Sequence, residues 1–365
     1  MSSPNHSARR SKVTRQLKSL SVDAILVSGL ANVRYLTGFT GDSSWLLLTG
    51  SHAFMLSDTR YETQLAEECA DLEVIIRDAS RTMNDVIADV CRKAKVSRLA
   101  FESDHLSFAQ HQTISEHLPS TELTACSGVV ETLRAVKDKW ELEQTREAIR
   151  IAERGIGVVR STLRPDLTEI QIRYALEAAM RDFGATGPAF EPIIGVGPTG
   201  ALPHAHAGHR CVGDSPALLI DWGAAVPSGY RSDLTRVFFT AKPTRQMQRV
   251  YETVLQAQQA AIAAIRPGVE CRAVDAIARG MIADAGFGKY FGHGLGHGFG
   301  LEIHESVRMS PLATQVFEVG MVVTVEPGIY LPGKFGVRIE DDVLVTQDGC
   351  EVMSSVPRDF ESSIV

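Results

Sequence analysis

DKWELEQTREAIRIAERGIGVVRSTLRPDLTE, residues 138–169, sets the division of the chain. Asp138 with Glu141 three residues on is a capping box that opens a long helix, and Thr168 with Gln171 is a second box that opens another. Apolar Ile172, Leu176, Ala179 and Met180 recur at helical spacing after Thr168, and Gly184 ends the run. The segment RPDLTE at 164–169 is echoed about 100 residues later by RPGVE at 266–270, each behind a long helix, near 139–163 and 245–265, and ahead of a shorter one. Strand-like runs follow each pair: ALLIDWGA and TRVFFT after the first, VVTVEPGIY and VRIEDDVLVT after the second. The C-terminal region reads as two related α+β halves around a cleft, the alternative being a chance likeness between two helix starts.

Upstream, from Asp23 to about Ala125, short apolar runs (24–27, 45–48, 54–56, 72–76, 98–101) alternate with helix-like stretches near 60–69, 80–92 and 107–117, the pattern of an α/β layer. The boundary falls around 128–136. The expected organisation is a loose polar tail over residues 1–12, an α/β domain over 13–130 and an α+β domain over 131–365. A chain of 365 residues that is 44% hydrophobic and 22% charged is neither disordered, collagenous nor coiled-coil. With 37 basic against 44 acidic residues the net charge is −7, which gives no protein-wide field for nucleic acid or an anionic membrane. No apolar run approaches the ~20 residues of a membrane helix, and no apolar segment follows Arg9-Arg10 to make an export signal. Six cysteines far apart, without a C-x-x-C, fit reduced thiols and a cytoplasmic location.

Six of the eleven histidines (His204, His206, His209, His293, His297 and His304) fall in two short segments, ALPHAHAGHR at 201–210 and GHGLGHGFGLEIHE at 292–305. Clustered imidazoles near carboxylates point to a metal or acid–base site, although any one of them could be a hydrogen-bonded structural histidine. Asp221 ends the apolar run LLID and Asp233 lies in GYRSDLTR, so a hairpin would carry both to one face. Glu326 follows MVVTV and Glu340 lies inside VRIEDDVLV, acidic side chains on apolar strands that are costly to bury alone. Asp341 and Asp342 read as loop or solvent-facing acids, and Arg338 shares a strand face with Glu340. If Asp221, Asp233, Glu326, Glu340 and His297 meet in one cleft, four carboxylates must protonate or bind cations, and their charge matches two divalent ions. An oxygen-rich set with one imidazole suits Mn²⁺, Co²⁺, Fe²⁺ or Zn²⁺ and the chemistry of metal-assisted amide hydrolysis. The alternative is a set of separate ion pairs with Arg231, Arg236 and Arg338.

The segments DWGA…GYRSDLTR, HGLGHGFGLEIHE, VVTVEPGIY and GVRIEDD, in this order, resemble the metal-site motifs of the pita-bread metallopeptidases, in their aminopeptidase P and prolidase branch. Residues 30–64, LANVRYLTGFTGDSSWLLLTGSHAFMLSDTRYETQ, resemble the creatinase/prolidase-type N-terminal domain. The resemblance implies a pita-bread catalytic domain with an internal pseudo-twofold repeat, holding two divalent metal ions, Mn²⁺ foremost. It implies that Asp221 binds one metal, His297 and Glu326 the other, and that Asp233 and Glu340 bridge both. It further implies that Glu326 takes a proton from the nucleophilic water, His304 stabilises the oxyanion, His293 helps hold substrate, His204 lies on the proline side and Arg338 orients a bridging carboxylate. His206 and His209 receive no role and are read as loop residues. Asp221 and Asp233 stand one residue further apart than in the family pattern, with the extra residue in AAVPSG. The expected activity is an Xaa-Pro aminopeptidase acting on proline-containing peptides as a homodimer. The alternatives are an Xaa-Pro dipeptidase (prolidase) and a non-catalytic peptide-binding protein on the same fold.

Overall fold

The computed structural model describes residues 4–365, and the chain divides into two compact units, one reaching to Arg134 and one beginning at Ala135. No helix among the described residues is long and apolar enough to cross a membrane.

The first unit is a six-stranded sheet with helices. Its strands are β1 (Ala24–Val27), β2 (Trp45–Thr49), β3 (Ala53–Asp58), β4 (Glu73–Arg77), β5 (Arg98–Glu102) and β6 (Glu122–Cys126), in the order β4-β3-β2-β1-β5-β6. β1–β2 and β2–β3 pair antiparallel, and β3–β4, β1–β5 and β5–β6 pair parallel. The helices are α1 (His6–Gln16), α2 (Leu30–Thr37), α3 (Glu62–Glu68), α4 (Met83–Lys93), α5 (Phe108–His117) and α6 (Glu131–Ala135). Val86, Ile87 and Val90 of α4 and Ile114 of α5 join Leu26, Leu47, Leu56 and Leu99 of the sheet in one core.

The loose tail expected over residues 1–12 is corrected by α1. Its residues 1–3 lie outside the described residues, and from His6 the chain is helical. Arg9 and Arg10 are buried, donate to the Tyr35 and Leu36 carbonyls at the end of α2, and Arg9 lies over the Tyr35 ring at 4.2 Å. Cations at the carbonyl end of a helix meet its negative pole, which explains how so polar a segment docks.

The second unit repeats one motif. A 24-residue helix α7 (Lys139–Thr162) precedes the 14-residue α8 (Glu169–Asp182), and a 20-residue α9 (Arg245–Ala264) precedes the 14-residue α10 (Cys271–Asp284). The capping boxes at Asp138/Glu141 and Thr168/Gln171 are both formed. After the first pair come β7 (Gly187–Pro188), β8 (Ile193–Val196), β9 (Ala217–Trp222), β10 (Ala224–Ala225) and β11 (Leu234–Phe239), with β11-β9-β8 an antiparallel sheet. After the second come β12 (Gly296–His297), β13 (Arg308–Met309), β14 (Val322–Val325), β15 (Gly328–Leu331), β16 (Phe335–Arg338), β17 (Asp341–Val345) and β18 (Cys350–Val352), with β14-β17-β18 its counterpart. Val250, Val254 and Ala257 of α9 and Val274, Ala278 and Ile282 of α10 pack with Leu219, Val237, Val323 and Val343 of the strands, so both sheets share one core.

Polar ties fix strands to helices. The Trp222 indole donates to the Ala152 carbonyl of α7 at 2.9 Å, and Tyr230 donates to Glu141 at 2.7 Å. Glu169, 1% exposed at the start of α8, accepts from the backbone of Val196 at 2.8 Å and of Gly208 at 2.9 Å, tying β8 to the loop that carries His204, His206 and His209. Replacing Glu169 with Ala leaves two buried N–H groups without acceptors, and thermal unfolding should show a loss of about 3 kcal/mol.

Candidate metal centre

β9 and β11 run with Asp221 opposite Thr235, and Asp233 stands immediately before β11. Between the two aspartates the chain turns beyond β10, where Val226 N donates to Tyr230 O and Gly229 N to Val226 O. The β9–β11 register is continuous, and Asp221 and Asp233 both line the same cavity of about 570 Å³. His297 enters from β12. Gly296 beside it lies against β14 so closely that a Cβ would sit 2.1 Å from the Thr324 carbonyl oxygen, which fixes the residue type. Glu326 follows β14 and Glu340 precedes β17, with Glu340 bridged to Thr235 of β11.

Asp233, His297 and Glu340 offer ligand atoms that all lie within 4.8 Å of one another. His297 Nε2 is 3.6 Å from Asp233 Oδ2 and 3.4 Å from Glu326 Oε1. Burial pushes the His297 imidazole down to about 3, so the ring is neutral. Its Nδ1 faces the Gly298 carbonyl at 3.2 Å and carries the proton, so Nε2 presents a lone pair to two carboxylates. Burial, reinforced for Asp233 and Glu340 by the neighbouring carboxylates, raises Asp233 and Glu340 well above the carboxylate range, and burial raises Glu326 to about 8. Asp221 is also raised, by burial, and its Oδ1 is buried and accepts no hydrogen bond. A lone pair, an orphaned carboxylate oxygen and mutually repelling buried acids form a donor set that fits divalent cations.

A single buried guanidinium, Arg338, opposes this charge, while Arg308 lines the cavity at an exposed position. Arg338 pairs with Asp221, donates through Nη1 to the Tyr330 hydroxyl at 2.6 Å and through Nε to Thr235 Oγ1 at 3.1 Å. Thr235 in turn donates to Glu340 at 2.6 Å. His293 is held at both nitrogens: Nδ1 donates to the Gly294 carbonyl at 2.8 Å, and Nε2 accepts from Tyr330 at 2.8 Å. Burial and the Arg338 charge push His293 down to about 4. The ring thus forms cavity wall with no N–H left for another partner. His204 and His304 also line the cavity, and the His304 ring meets His297 edge-on with centroids 4.3 Å apart. His206, expected as a plain loop residue, lines it too, its Nδ1 3.6 Å from Glu191, whereas His209 does not.

The ion pairs available as an alternative form only at Arg338. Arg231 donates to the Ala189 carbonyl, and Arg236 pairs with Asp341 at 2.6 Å. Asp341 and Asp342, expected in a loop or facing solvent, are instead buried on β17. Asp341 accepts from Arg236, Arg358, Gln258 and Ser354, and these partners hold it down at about 2 against the cost of burial. Asp342 accepts the backbone N–H of Asp233 at 3.2 Å. Sequence reasoning also passed over Tyr330, Thr235 and Arg308. The first two sit inside quoted motifs, four residues from Glu326 and two from Asp233, and Arg308 is betrayed only by its place on β13 opposite His297.

Fold and cluster together define a metal-dependent hydrolase. Residues 143–347 match the metallopeptidase family M24 and residues 9–136 the creatinase/prolidase N-terminal domain. The chain belongs to metallopeptidase family M24, and its second unit has the pita-bread architecture. It is 34% identical over 349 residues to the uncharacterized peptidase YqhT of Bacillus subtilis, covering 96% of this chain and 98% of that one. Among solved structures it is similar to an Xaa-Pro dipeptidase from Bacillus anthracis (TM-score 0.94, 34% identity, 99% and 100% of the two chains). It is also similar to an X-Pro aminopeptidase from Thermotoga maritima (0.88, 34%, 96% and 100%).

Two outcomes follow from the charge balance. Asp233→Asn and Glu340→Gln relieve repulsion in the metal-free protein, so its unfolding temperature should hold or rise while metal per chain after dialysis falls to below half. Because a cation must displace the protons retained on the raised carboxylates, apparent metal affinity should weaken as pH falls from about 8 to 6, as read by calorimetric titration.

Proposed function

We propose that this chain hydrolyses the peptide bond between an N-terminal residue and proline, with two divalent ions, Mn²⁺ foremost, held by Asp221, Asp233, His297, Glu326 and Glu340. The observation that carries the reading is the convergence in one cavity of three buried carboxylates, the partly buried Glu326 and a neutral imidazole, against one buried guanidinium. When bound, the ions supply Lewis acidity and an activated water. Glu326, its Oε1 3.4 Å from His297 Nε2 at the end of β14, is placed to take the water's proton at Oε and return it to the departing nitrogen. His304, whose ring nitrogens are not engaged by other residues, is placed to donate to the oxygen of the tetrahedral intermediate. His204 contributes to the wall on the proline side, and Arg338 keeps Asp221 and Thr235 in place, Thr235 in turn holding Glu340. The resemblance also supports a homodimer, and six far-apart cysteines without a C-x-x-C support a cytoplasmic location.

Arg308 bears on the tail length accepted. It lines the cavity on β13 opposite His297 and has no carboxylate partner among the described residues. An unpaired guanidinium there favours a substrate whose proline ends in a free carboxylate, hence the dipeptidase reading over the aminopeptidase expected from the sequence. Proline release should be measured after Mn²⁺ reconstitution with Xaa-Pro and Xaa-Pro-Xaa-Xaa, each with a chelated control. The expected result is chelator-sensitive turnover of the dipeptide, with Arg308→Ala raising its KM about tenfold or more. Faster turnover of the longer peptide, unaffected by Arg308→Ala, makes the enzyme an aminopeptidase, and no metal-dependent turnover of either favours the peptide-binding alternative.

A further inference from the structure

His304 stands on a loop, residues 298–305, and its ring makes no hydrogen bond among the described residues, so its position is set by the loop backbone. That backbone is gathered around the next side chain. Glu305 is 6% exposed, its Oε1 accepts the Leu301 N–H at 3.1 Å, and its own N–H donates to the Gly298 carbonyl at 2.7 Å. The carboxylate fills the space over Gly300, where a Cβ would lie 2.9 Å from Oε1. Glu305 Oε2 accepts from Lys137 Nζ at 2.9 Å, with the two side chains 3% and 1% exposed. Lys137 is itself fixed, since its N–H donates to Gly320 and Val136 bridges Met321, immediately before the strand that leads to Glu326.

We propose that the buried Lys137–Glu305 pair is a positioning device for His304, holding the 298–305 loop so that the imidazole stands at a fixed place beside His297. The role rests on the reading of His304 as the group that stabilises the oxyanion. A buried ion pair adds little net stability, because desolvation offsets the attraction, yet it fixes geometry well when further hydrogen bonds satisfy the remaining oxygen. Here the remaining oxygen is the one that organises the loop. A displacement of about 1 Å at a reacting group can cost about 100-fold in rate. The Gly298 N–H on the Val307 carbonyl and the Arg231 N–H on the Gly300 carbonyl anchor the earlier part of the loop, and the stretch next to His304 gathers on the Glu305 carboxylate.

The test compares wild type, Glu305→Gln, the paired apolar replacement K137M/E305M and His304→Ala, alone and added to K137M/E305M. Metal content, unfolding temperature, kcat and KM on Xaa-Pro, and amide exchange over 298–306 are measured for each. The apolar pair removes both buried charges together, which keeps the fold. The expected result is full metal content, KM within about threefold, kcat lowered by about 100-fold in K137M/E305M and by less in Glu305→Gln, and faster exchange over 298–306. Adding His304→Ala should then cost less than about threefold, because the imidazole is already misplaced. Unchanged kcat, a full additional loss from His304→Ala, or loss of metal would each overturn the proposal. If wild type fails to hydrolyse Xaa-Pro, the functional reading falls, and exchange alone then decides the positioning role: unchanged exchange sinks it and faster exchange supports it.

Discussion

Three buried carboxylates, the partly buried Glu326 and one buried guanidinium in one cavity form the constraint around which the second unit is built. Like charges at such distances repel strongly in a poorly solvated interior, and the protein tolerates them only by retaining protons or by binding cations. Every nearby feature serves to hold the acids in spite of that repulsion. Arg338 engages Asp221, Tyr330 and Thr235 with three donors, Thr235 passes a hydrogen bond to Glu340, and Asp342 accepts the backbone of Asp233. The strands are buried along their whole length, so they are locked in place by packing as well as by these bonds.

Behind this wall lies a second layer. Arg236, 1% exposed, donates to the carbonyls of Thr235 and Glu340, to Asp341, and to the carbonyls of Val356 and Pro357. One side chain thus joins the strand after Asp233, the residue before β17 and the segment following β18. With Arg358, Gln258 and Ser354 also on Asp341, no charged oxygen of that aspartate is left unpaired. The metal-facing wall is therefore backed by an aspartate whose two oxygens are both engaged, whereas on the wall itself Asp221 Oδ1 accepts no hydrogen bond.

Much of this was legible in the residues, and the remainder has physical reasons for being hidden. The helix pairs could be read because capping boxes and helical periodicity are local, and both boxes formed at the residues that signalled them. The repeat of helix lengths then gave the α+β halves. Asp341 and Asp342 were misread because burial of a charge depends on partners distant in the chain: Arg236 precedes Asp341 by 105 residues. The start of the chain was misread for the opposite reason, since α1 is almost wholly polar and docks through two arginines on backbone carbonyls, a contact without periodicity. In the cavity, the clustering of histidines and acids pointed to the chemistry, but the saturation of both His293 nitrogens depends on Tyr330 and a backbone carbonyl, which spacing does not reveal.

The two related halves divide the wall between them. Asp221 and Asp233 come from the strands after the first helix pair, and His297, Glu326 and Glu340 from those after the second. The first half supplies two of these side chains and the second three, and the first and last of them are separated by 119 positions. Bringing them together requires closure of a long loop of chain, which comes late in folding because its entropic cost precedes its reward. The complete cluster therefore exists only once both halves have folded: a chain emerging from synthesis, or one half detached by proteolysis, presents part of the set and not the whole.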